Sequence, residues 1–298
     1  MIRVLALLAA VVAAVAAVQG SDAAFTASAS NAGSSFTTAA KFAPVVTLTT
    51  PANGSATNDT TPTLSGAAGN TTGDNLPITV KIYSGASATG TPVQTRTPNR
   101  AGATWTTTAT TLAVGTYTAQ ATQTDTSGNT GTSTASTFTV DTTKPAAANI
   151  VATNKAGGAA GKIENGDTLT FTYSEPITSD SVWSGWNGAS TAVNVRFTDS
   201  ATADTVTVLT ATTGTVKLGT VATNGNYVSA STTFASTMVR SADGASIVVT
   251  LGTPTNVQAT AVGAKNMTWT PVIGIIDLAG NTSTVATAYT ETVTDVDF

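Results

Sequence analysis

Apolar residues and short polar residues take turns along most of this chain, as in Leu169-Thr-Phe171-Thr-Tyr173, Val193-Asn-Val195-Arg-Phe197 and Ile78-Thr-Val80-Lys81-Ile82. A side-chain period of two puts alternate residues on opposite faces of a strand, so each run has one face to bury and one to leave in water. No segment sustains a helical period, and the chain therefore reads as all-β. Charged residues make up 9% of the 298, against a usual figure of about 25%. The polar faces are built from Thr, Ser, Asn and Gly instead, and β-branched Thr suits strands.

One short phrase punctuates this pattern twice: Asp125-Thr-Ser-Gly128-Asn129 and Asp277-Leu-Ala-Gly280-Asn281. Each copy lies between two alternating runs, the position of a tight turn joining antiparallel strands. Glycine can take the positive φ of a sharp turn, while Asp and Asn side chains bond nearby backbone. At about 100 to 200 residues per domain the length accommodates two domains, and two closing turns predict two.

From Val45 the strand signals come at short spacing: Val46 to Leu48, Pro62 to Gly66, Ile78 to Tyr83, Ala103 to Trp105, Thr116 to Ala121 and Ala135 to Val140, with turns between. About seven short strands indicate an antiparallel sandwich of the immunoglobulin type. Ile78, Val80 and Ile82 share one face, so Lys81 points to solvent. Further strands are expected at Leu169 to Tyr173, Val193 to Phe197, Thr205 to Leu209, Val216 to Leu218, Ser246 to Leu251, Met267 to Trp269, Ile273 to Ile276 and Val285 to Tyr289. These make a second, larger sandwich with longer loops. Asp141-Thr-Thr-Lys-Pro145, polar and ending in proline, reads as a short semi-rigid linker. The expected organisation is two tandem Ig-like antiparallel β-sandwiches after an N-terminal signal helix, over 44–143 and 144–298.

Trp105, Leu112-Ala-Val-Gly115-Thr-Tyr117, Gln120 to Asn129 and Phe138-Thr-Val140-Asp141-Thr-Thr-Lys-Pro145 together resemble the second half of the bacterial Ig-like repeat of large surface adhesins. The likeness runs from about Pro44 to Pro145. Leu112 to Tyr117 also resembles a tyrosine corner, in which the phenol bonds backbone at the end of the sandwich. Gly166-Asp-Thr-Leu-Thr-Phe171, Ser174-Glu-Pro176, Gly185-Trp-Asn-Gly188, Met267-Thr-Trp-Thr-Pro271 and Asp295-Val-Asp-Phe298 resemble an Ig-like module of bacterial surface proteins. The adhesin resemblance implies that end loops and linkers can hold Ca²⁺, with Asp125 and Asp141 as the metal ligands. Read from the residues alone, Asp125 makes an Asx-turn and Asp141 is a solvated linker acid.

Met1-Ile-Arg3 followed by the apolar run Val4 to Val18 has the n-region and h-region of a secretory signal peptide. The run is short for a membrane span, which takes roughly 20 residues, and Ser21-Asp22-Ala23 supplies small residues for cleavage after Ala23. Residues 1–23 are then the signal, with an uncleaved anchor as the alternative, and 24–43 a polar lead-in. The stretch from Ala24 through Phe36 is similar to the start of bacterial exported proteins whose signal is cut by the archaeal/ER-type signal peptidase, a group that includes matrix-fibre proteins.

Absent residues exclude much chemistry. The chain has no histidine and no cysteine, which removes Ser-His-Asp and Cys-His catalysis, His-ligated metals, thiolates and disulfides. Twelve Lys and Arg are scattered singly and the net charge is −4, so no basic face awaits nucleic acid. Glycoside hydrolysis needs two facing carboxylates. Glu175 with Asp180 is the closest tempting pair, and Ser-Glu-Pro there is better explained as a strand-ending turn. Trp183 and Trp186 share a loop of small residues. Exposed, they would form a stacking platform for sugar rings; buried, they would plug the sandwich.

The function expected is that of a secreted or cell-surface structural or adhesive protein without catalysis or an obligatory cofactor. The alternative is a carbohydrate-binding module using Trp183 and Trp186. The partners expected are cell-wall or matrix polysaccharides or other surface proteins, with self-association through Thr-rich edges as a further route. Membrane contact is expected only through an uncleaved signal segment.

Overall fold

The computed structural model describes residues 42–298 apart from 213, 257–259, 293, 295 and 297. The signal peptide and nearly all of the lead-in expected from the sequence therefore lie outside the described residues. Alternating burial builds the first half: β1 (Ser55–Thr57), β2 (Thr63–Ala67), β3 (Asp74–Ser84), β4 (Gln94–Arg96), β5 (Thr104–Thr108), β6 (Gly115–Asp125), β7 (Thr130–Thr132) and β8 (Ser136–Val140). One sheet runs β1-β8-β6-β3-β4 with β7 added against β6, and β2 and β5 form the facing layer. The segment before β1 extends that layer, because Thr47 and Thr49 donate backbone bonds to Ala67 and Ser65.

Between the layers lie Leu64, Ile78, Val80, Ile82, Trp105, Tyr117, Ala119, Ala121, Phe138 and Val140, every second residue of their strands. Lys81 is exposed, as its place in the alternation requires. The Trp105 indole N–H donates to the carbonyls of Thr47 and Ala67 at 3.0 and 3.1 Å. Strands cross so closely there that a Cβ on Gly66 would lie 2.0 Å from the Thr47 oxygen. The tyrosine corner is formed: the Tyr117 hydroxyl donates to the Ala113 carbonyl at 3.0 Å, and its ring stacks on Phe138 at 6.0 Å.

The second half comprises β9 (Ala147–Thr153), β10 (Thr168–Tyr173), α1 (Ser179–Val182), β11 (Thr191–Thr198), β12 (Thr205–Thr210), β13 (Thr215–Ala222), β14 (Thr232–Arg240), β15 (Ser246–Pro254), β16 (Thr268–Thr270) and β17 (Tyr289–Thr290). A single nine-stranded sheet runs β17-β16-β13-β12-β11-β14-β15-β10-β9. It curls until its end strands β9 and β17 approach each other, enclosing one core around Trp269, Phe171, Phe197, Tyr227 and Phe298. Phe171 and Tyr173 meet Trp269 edge-on at 5.3 and 5.1 Å. A long twisted sheet that closes on itself covers its own apolar face. The expected sandwich is thus made by one sheet instead of two.

Several elements depart from the sequence reading: β1, β4 and β9 lie outside the expected strands, and of the strand expected over Val285 to Tyr289 only Tyr289 belongs to β17. β14 was not anticipated, although Phe234, Ser236 and Met238 are its buried face; Ser and Ala in the run blur the alternation. Ile273 to Ile276 forms no strand, since Gly274 takes a φ of 88° in the middle of it. Among the described residues no helix is long and apolar enough to cross a membrane.

The tyrosine corner can be weighed directly. Replacing Tyr117 by Phe keeps the ring and leaves the Ala113 carbonyl without its donor. Urea unfolding of the Tyr117→Phe chain should show the first sandwich weakened by about 1 kcal/mol with an unchanged denaturant slope.

Candidate metal centre at the domain junction

The two copies of the turn phrase fold alike. In the first, the Asp125 carboxylate accepts the N–H groups of Ser127 and Asn129 at 2.8 and 2.9 Å and the Asn129 amide at 2.9 Å. In the second, Asp277 accepts the Asn281 N–H at 2.8 Å and its amide at 2.7 Å. Gly128 and Gly280 take φ values of 86° and 92°, which closes the loop over each carboxylate. Asp125 and Asp277 are 3% and 2% exposed. Asp125 thus centres an Asx-turn, and Asp277 closes its turn through Asn281.

Their surroundings differ, and the difference follows from register. Pairing of Gly115 with Val140 and of Ala119 with Ser136 puts Asp141 beside the start of β6. Asp125 ends the same strand, roughly 30 Å away at about 3.4 Å per residue. Asp125 and Asp141 therefore cannot share an ion, and the Ca²⁺ pair expected from the sequence is corrected. The Cα partner of Asp125 is Asp74.

Asp141 instead meets the second copy of the phrase. Leaving β8, its N–H donates to the Thr57 carbonyl and its carboxylate accepts the Thr143 N–H at 2.9 Å. The Asn281 amide donates to the Asp141 carbonyl at 2.9 Å. Close by, the Asn58 N–H donates to the Ala279 carbonyl at 3.0 Å, and the Lys144 ammonium to the Thr284 hydroxyl at 3.2 Å. The turn that closes the second sandwich is the seat on which the first one rests.

Glu175 completes the arrangement. β10 stops at Tyr173, and Ser174-Glu175-Pro176 turns the chain toward the junction, where Ile177 bridges Asp277. One carboxylate oxygen each from Asp141, Glu175 and Asp277 lies within 4.8 Å of the other two. The Glu175 Oε1 atom is buried without a hydrogen-bond partner. Burial, then the charges of Asp141 and Asp277, push the Glu175 carboxyl up to about 7. Three converging carboxylates can share a proton or hold a hard divalent cation, which takes oxygen ligands. Glu175 faces both other carboxylates closely enough for its carboxyl to share a proton with them, and the same three groups can take a cation in its place.

The remaining expected site residues lie elsewhere. Asp180 accepts the Gly185 N–H at 2.7 Å and is not one of the two acids, Asp141 and Asp277, that meet Glu175. Trp186 is 7% exposed, packed in the second core with its indole N–H donating to the Ala189 carbonyl at 2.7 Å. Trp183 is half-buried against the same core. A hollow of about 270 Å³ lies between them, but one indole is a core anchor, so the two-ring platform is not formed.

The fold and junction define an all-β protein of two sandwiches set end to end. Residues 49–142, which span the first sandwich, match the family model described as a bacterial Ig-like domain. Among solved structures, the chain is similar to the fibronectin(III)-like modules of Clostridium thermocellum CbhA. The identity is 15% over 70% of this chain and 90% of that one, with a TM-score of 0.27. No curated protein matches the chain.

The junction predicts a pH dependence with a definite sign. A carboxyl whose folded value lies above its unfolded one stabilises fully below the unfolded value, near 4.5, and loses that contribution as pH rises through about 7. In chelator, the melting temperature should therefore fall between pH 5 and pH 8, and Glu175→Gln should flatten that fall. Calcium at about 100 times its dissociation constant should stabilise the folded chain at pH 8 by about 2.7 kcal/mol. Differential scanning calorimetry should find this gain lost in Glu175→Gln and kept in Asp125→Asn.

Proposed function

We propose that the protein is a secreted, non-catalytic component of a bacterial surface or matrix, adhesive or structural in role, whose two sandwiches are set rigidly end to end by a cation-holding junction. The observation that carries this reading is the seating of the first sandwich, through Asn58 and Asp141, on the Asp277-to-Asn281 turn of the second. A chain that only needed two independent binding domains would have no use for such a seat, since relative motion is the default across small interfaces. The cation is Ca²⁺ by ligand chemistry: three carboxylates with nearby carbonyls suit a hard ion that accepts six to eight oxygens in loose geometry. The bacterial Ig-like first domain, an apolar leader and the absence of His and Cys all favour an exported structural role. The partners are cell-wall or matrix polysaccharides or other surface proteins.

Three measurements decide it. Small-angle scattering of the full chain should give one extended particle with Ca²⁺ and a broader distribution of end-to-end distances in chelator. Antibody against the second sandwich should label intact cells or their matrix, and immobilised wall or matrix polymers should retain the purified protein. Labelling confined to the cytoplasm would overturn the surface reading, and identical scattering in both conditions would overturn the rigid junction.

A further inference from the structure

Four neighbouring strands of the second sandwich, β9, β10, β15 and β14, carry their outward residues in register. Thr153, Thr168, Thr250 and Thr237 are successive cross-strand partners, and two residues along each strand so are Val151, Thr170, Val248 and Val239. Asn149, Thr172 and Ser246 make a third row on the first three strands. Irregularities of the ladder bound the patch, between Thr172 and Tyr173 at one end and between Ala235 and Thr237 at the other. The alternate residues Ile150, Leu169, Phe171, Val249 and Met238 fill the core, so the three rows face the solvent. Side chains of adjacent strands meet there, as the Thr172 and Ser246 hydroxyls do at 3.0 Å.

The face is an apolar stripe between two polar rows, with no charged residue at any of these positions. Val151 and Val239, the ends of the stripe, are each 37% exposed, and Thr170 continues it with its methyl group. Rows stand about 6.8 Å apart along the strands, and their members about 4.8 Å apart across them. Sheet twist turns each strand about the axis on which a row runs, so the stripe stays straight while the strands fan around it.

A straight, neutral, amphipathic strip calls for a partner of the same kind. Sugar rings of an extended β-linked chain present C–H groups on their faces and hydroxyls at their edges, and one ring is close to one strand spacing in length. Laid along the stripe, such a chain sets its C–H faces on the valines and its hydroxyls over the flanking rows, about one ring to each strand. A second copy of this face is a poorer occupant. Roughly 400 Å² a side, about 800 Å² in total, falls short of the roughly 1,200 Å² at which stable interfaces begin. A charged polymer finds no counter-charge on it.

We propose that this face binds a neutral, extended β-linked polysaccharide, which lies across β9, β10, β15 and β14 along the valine stripe. The site rests on the reading of the protein as a surface component with wall or matrix polysaccharide among its partners, and gives that partner a place and a chemistry.

The test is co-sedimentation of the full chain with insoluble chitin, insoluble cellulose and calcium-gelled alginate, the last an anionic polymer. Chitin, cellulose or both should retain the chain, and alginate should not. Val248→Lys sets a charge in the middle of the stripe and should weaken retention about tenfold or more. Thr250→Val keeps the shape, removes one hydroxyl and should weaken it roughly threefold. Val93→Lys, at an exposed position of the first sandwich, should change nothing. Melting temperatures close to that of the unmodified chain show that the variants are folded, and Val239→Lys, at the exposed end of the stripe, replaces Val248→Lys if that variant melts early. Failure of both chitin and cellulose to retain the unmodified chain would overturn the proposal, as would stronger retention by alginate or a dimer in analytical ultracentrifugation that the stripe lysine dissociates. Retention that survives the lysine would overturn this face and leave a polysaccharide-binding surface protein standing. Absence of the protein from the cell surface would overturn that wider reading without altering what the purified chain binds.

Discussion

The chain depends on one-faced burial. With few charges, no disulfide and no metal-binding histidine or cysteine, cohesion has to come from apolar side chains placed at every second position of strands and closed over by another part of the same sheet system. Leu169, Phe171 and Tyr173 show the principle on β10, Ile78, Val80 and Ile82 on β3. Hydrogen-bonded ladders hold the register, and a slip of one residue would turn each of these faces outward. Threonine on the opposite face meets water without adding charge, which explains how so weakly charged a chain is still amphipathic strand by strand.

Ends are the weak places of such a design, because strands stop and backbone groups lose their ladder partners. The duplicated Asp-x-x-Gly-Asn loop solves this locally, folding its backbone donors over a buried carboxylate. At the second copy that solution serves further ends. The amide of Asn281 reaches the linker and the Ala279 carbonyl takes a donor from Asn58, so a turn also works as a docking surface. Three carboxylates meeting there cannot all be charged without a proton or a cation between them. The junction is therefore a place where this low-charge chain concentrates electrostatic energy.

Much of the fold was legible from periodicity and punctuation. The strands carrying Trp105, Tyr117, Phe171, Val195 and Trp269 follow from alternation, and the tyrosine corner from the spacing of Leu112, Gly115 and Tyr117. Where small residues break the alternation the reading failed, as at β14 with its Ala235 and Ser236, and where a glycine turns the chain, as at Gly274. Trp183 and Trp186 are ambiguous by sequence because an indole suits a core and a sugar platform equally; only packing shows Trp186 anchored inside.

The candidate site was half legible for a physical reason. Alternation and turn chemistry are local, so the sequence alone determined the all-β class, the two closing turns and the Asx-turn at Asp125. Which acids meet is a matter of register and of how two domains sit together. The β6–β8 pairing separates Asp125 from Asp141 by the length of a strand, and the seating of the domains brings Asp141, Glu175 and Asp277 together from positions far apart in the chain. Nothing local at Ser174-Glu175-Pro176 distinguishes a turn-ending acid from a junction ligand. Tertiary structure decided that, because burial against two other carboxylates exists only once both sandwiches are formed and docked.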